Sequence, residues 1–105
     1  VASAVLEYAD KVAERIAQLG GVPLGTIRKV AEKTPLPQHD VSIKASDAHI
    51  ELVAQLLAYV SESARVAIRK TAELGDDATA DIFTEISRGL DEWTWFVESH
   101  GSAKD

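Results

Sequence analysis

Apolar residues along the long segments of this chain recur at steps of three and four. That period belongs to a helix with one buried stripe, so the reading is an all-α fold. Over residues 2 to 19, Val5, Ala9, Val12, Ile16 and Leu19 form a continuous stripe, and Gly20 and Gly21 supply left-handed positions that end the helix. Ser46 and Asp47 start a second long helix. In it Ile50, Val53, Leu57, Val60, Ala64, Ala67, Thr71 and Leu74 repeat in a heptad-like line until Gly75. Asp76 and Asp77 begin a third, in which Ile82, Ile86, Leu90, Trp93 and Val97 carry the core stripe to a stop at Gly101. All three prolines fall between Val22 and Ala45. That connection is too long for a plain turn, so a short helix is expected inside it, about Thr26 to Glu32.

The chain has 105 residues, enough for one domain, which at this size buries roughly 60–70% of the surface its unfolded chain exposes. Eleven basic residues against 17 acidic ones leave a net charge of −6. This argues against the broad cationic surface that non-specific nucleic-acid binding needs, and no basic run exceeds Arg69 and Lys70. The absence of cysteine rules out disulfides and thiolate metal sites. No apolar run approaches the roughly 20 residues of a membrane-spanning helix, so the expectation is a soluble protein with no membrane partner, and a cytoplasmic location is expected of it. The sequence begins at Val1, without a methionine and inside what reads as a running helix, so further sequence is expected upstream. Helices of this kind pack as four. Three apolar stripes alone would leave a groove, and its cover is expected from an upstream segment or fragment of the same protein, or from a neighbouring molecule.

Two stretches carry a family likeness. "ADKVAERIAQLGGVPLGT" (9 to 26) and "DDATADIFTEISRGLDEWTWFVESH" (76 to 100), with "KTPL" (33 to 36) between them, closely resemble the Dps family, the mini-ferritins that protect DNA during starvation. The likeness covers essentially the whole chain. It implies a ferritin-like four-helix bundle, present here as its C-terminal part: the end of the second helix, a crossover with a short helix, and two long helices. It also implies a homo-oligomeric, 12-subunit shell. Such a shell oxidises ferrous iron with hydrogen peroxide or dioxygen and stores the ferric product.

In that family the oxidising centre lies between two subunits. One supplies a histidine and a His-x-x-x-Asp set, and the other an Asp and a Glu four apart. Asp10 and Glu14 match the second element. The histidine-bearing element has no counterpart here, because the family places it upstream of Val1. The resemblance therefore assigns this chain one half of the metal ligands.

The helical period agrees with that assignment. At 3.6 residues per turn, Asp10 and Glu14 lie about 150° round from the stripe centred between Val12 and Ile16, so they cannot serve their own core. Taken alone, such a pair is a solvated face; offered to a neighbour, it is a ligand set. Leu6, Ala13 and Ala17 leave the edge of that face apolar or small enough for a second helix to approach. Carboxylates suit ferrous iron, and a bridging one can hold two metals while charge builds up.

A second acidic group comprises Glu73, Asp76, Asp77, Asp81 and Glu85, with Asp77, Asp81 and Glu85 sharing one helix face. The helix dipole accounts for Asp76 and Asp77. The family lines a threefold pore with acidic residues near this region, which would make Asp77 and Asp81 metal-guiding residues. His39, His49 and His100 form no metal-binding pair by spacing, and surface or capping roles are expected for them. Trp93 belongs to the core stripe, whereas Trp95 lies about 200° round and should be half exposed or covered by another subunit. Some family members bind DNA through lysine-rich tails. The tail "HGSAKD" has one lysine, Lys104, and gives DNA binding little support. A helical shell protein without a complete oxidising centre is the competing reading.

Overall fold

The computed structural model describes residues 2–36 and 46–102; His39, Pro37 and Lys104 lie outside them. Four helices follow in order, α1 (Ala2–Gln18), α2 (Ile27–Lys33), α3 (Ser46–Glu73) and α4 (Asp77–Ser102), and no strand occurs among the described residues. The chain divides into two compact units, Val1–Pro37 with α1 and α2, and Gln38–Asp105 with α3 and α4.

In the first unit α1 ends as the two glycines require. Gly20 takes φ +88°, its N–H donates to Ala17 O at 3.0 Å, and Gly21 N–H reaches back to Ile16 O at 2.9 Å. These are the two bonds of a helix stop built on one left-handed residue. Only Gly20 is left-handed, which corrects the expectation for Gly21. Gly21 is small for another reason, since a Cβ there would stand 2.9 Å from Ile16 Cγ2. The expected short helix is present as α2, capped by Thr26, whose side chain accepts from Lys29 N–H at 3.2 Å. No residue of α1 or α2 is buried, and Val5, Leu6, Leu19, Leu24 and Ile27 are exposed apolar side chains.

The second unit is an antiparallel pair of long helices joined by a tight turn. Gly75, at φ +78°, closes α3 as Gly20 closes α1, with Gly75 N–H on Ala72 O and Asp76 N–H on Thr71 O. The core is Leu57, Ala64, Ala80, Ile86 and Leu90, and Leu90 is 1% exposed. Ser61, Thr79 and Ser87 are buried with them.

On α3 the buried line runs Leu57, Ser61, Ala64 and leaves Val60 exposed. Ser61 takes that place because its hydroxyl reaches Asp91 Oδ1 on α4 at 2.9 Å. Leu74, expected in the stripe, is 83% exposed because α3 ends at Glu73 and Leu74 enters the turn. The expected stop at Gly101 is also corrected, since α4 continues to Ser102.

Candidate functional site

Asp10 and Glu14 stand one turn apart in the middle of α1, roughly 6 Å along its axis, and both are exposed. Val12 and Ala13 beside them are half-buried, while Leu6 and Ala17 are exposed. The pair is thus an open, doubly acidic step on a helix flank that carries small and apolar neighbours. Among the described residues no group of three or more His, Cys, Asp or Glu comes close enough to hold a metal ion. Within one chain, Asp10 and Glu14 are two exposed carboxylates one helical turn apart.

The second acidic group resolves into distinct roles. Asp76 is the N-cap of α4: it accepts Thr79 N–H at Oδ1 (3.1 Å) and the Thr79 hydroxyl at Oδ2 (2.5 Å), and its carbonyl takes Ala80 N–H. Asp77 is the first residue of the helix, where the dipole favours a negative charge. Asp77 and Asp81 are both exposed and one turn apart at this end of the helix pair. Their fields add in water on the same side of α4.

The opposite end of the pair holds a grouping that spacing alone could not find. Antiparallel packing sets the first turn of α3 beside the last turn of α4. His49, Ile50, Val53, Phe96, Val97 and His100 there line one cleft of about 240 Å³. His100 Nδ1 lies 2.9 Å from Phe96 O, which meets the capping expectation for this residue. The Phe96 ring lies 4.5 Å from the His100 ring and 5.8 Å, edge to face, from Trp93. Trp93 is half-buried and Trp95 is 67% exposed, as their angles on the helix require. The signal that could have found this cleft is the register of the hairpin: once the turn is set at Gly75, residues near 49 and near 100 must meet.

With this geometry in place, known proteins give the class. The family profile of the ferritin-like domain matches residues 2–102. The chain is 38% identical over 97 residues to the DNA protection during starvation protein of Agrobacterium fabrum, covering 92% of this chain and 60% of that one. It is 26% identical over 96 residues to the fine tangled pili major subunit of Haemophilus ducreyi, covering 91% and 50%. Among solved structures, Dps from Mycobacterium smegmatis in a tetragonal crystal form superposes with a TM-score of 0.85 at 32% identity, over 91% of this chain and 58% of that one.

The chain belongs to the ferritin-like family. Dps proteins are among its relatives, and it spans about half to two thirds of the length of the relatives it matches. The all-α expectation and the resemblance to Dps are both met. No helix among the described residues is long and apolar enough to cross a membrane.

Proposed function

We propose that the protein of which this chain is part is a Dps-type iron-oxidising and iron-storing mini-ferritin that limits oxidative damage to DNA in the cytoplasm. The observation that supports this most is the coincidence of family and position. A chain matched to the ferritin-like domain over residues 2–102 carries an Asp-x-x-x-Glu step, Asp10 and Glu14, on the exposed flank of its first helix. Ferrous iron is the substrate, and hydrogen peroxide or dioxygen takes the electrons.

Asp10 and Glu14 supply carboxylate oxygens, the donor type that ferrous iron accepts, from one side of an inter-subunit di-iron site. The partner across the interface must supply the imidazoles. Two exposed carboxylates on one chain make only a weak site, so assembly is part of the chemistry. A homo-oligomeric shell, with twelve subunits as in the family, brings the two halves together. Asp77 and Asp81 fit the mouth of an entry pore, where copies around a threefold axis would multiply their field on an incoming cation.

The test is ferrous oxidation by the assembled protein. Oxidation faster than buffer, with ferric product retained by the protein through gel filtration, is the result this reading requires. A rate equal to buffer refutes it.

The competing reading is a helical shell or scaffold subunit without a complete oxidising centre. The likeness to a fine tangled pili major subunit favours it, because that relative is by name a structural subunit. Assembly without iron oxidation would select it. DNA contact is tested by gel shift at low salt, where a shift that disappears as salt rises would indicate phosphate binding.

A further inference from the structure

We draw no further inference here: the strongest candidate, the apolar cleft of about 240 Å³ that Ile50, Val53, Phe96 and Val97 line between the first turn of α3 and the last turn of α4, carries nothing because nothing in the structure shows what covers it.

Discussion

Ser61, buried at the centre of α3, donates its hydroxyl hydrogen to Asp91 Oδ1 on α4 at 2.9 Å, and Arg65 Nη1 lies 3.5 Å from that same oxygen. One carboxylate thus ties the two long helices by a hydrogen bond whose donor is out of water. The Arg65 contact adds little, because both charged groups are largely exposed. Ser61→Ala is expected to lower stability by about 1 kcal/mol. Asp91→Ala should cost at least as much, because it leaves the buried hydroxyl without this partner. Urea unfolding of the two single variants and the double variant measures it. A double variant as destabilised as the sum of the singles would mean that the two residues are not coupled.

The cap of α4 rests on Asp76. Asp76→Ala should cost about 1 kcal/mol, and Asp76→Asn, which keeps an accepting oxygen, only a fraction of that. Equal losses would show that charge at the helix start, and not the bond to Thr79 N–H, carries the effect.

Leu90 and Leu74 separate burial from hydropathy. Leu90→Ala removes the most deeply buried large side chain and should cost about 2–5 kcal/mol. Leu74→Ala, in the turn, should stay within roughly 0.5 kcal/mol of the wild type. Denaturation midpoints that fall together would contradict the position of the helix end at Glu73.

The contrast between those leucines shows what the sequence could carry. Period alone located Leu57, Ala64, Ile86 and Leu90, because each repeats with the helix and each is apolar or small. It could not show that Ser61 replaces Val60 in the buried line, since the reason is a polar bond to a residue thirty positions away. The helix stops at Gly20 and Gly75 were legible because a positive φ selects glycine. Gly101 is the same letter inside α4, for glycine permits that conformation and does not impose it. Asp10 and Glu14 are proposed through family likeness, with the helical period placing them away from the core. That His49 and His100 line one cleft follows from the register the Gly75 turn sets and from no local spacing of histidines.

If Asp77 and Asp81 guide cations, then Asp77→Asn with Asp81→Asn should slow ferrous oxidation by the assembled protein at low ionic strength and matter little at high salt. The Debye length shrinks from about 30 Å at 0.01 M to about 3 Å at 1 M, which removes steering at a distance. Stopped-flow rates across that range provide the check. Slowing by the same factor at every salt concentration would place these residues in binding or folding instead.

In the proposed function, Asp10 and Glu14 are half of an iron-oxidising centre completed by a neighbour. Its most direct test is the initial rate of ferrous oxidation by hydrogen peroxide in assembled wild type and in Asp10→Asn with Glu14→Gln, each verified as the same oligomer by native mass spectrometry. The expected result is fast oxidation by the wild type and a fall to the buffer rate in the variant, with assembly and helical content unchanged. Wild-type rates in the doubly substituted shell would contradict it, and the two carboxylates would then be the solvated face of an amphipathic helix.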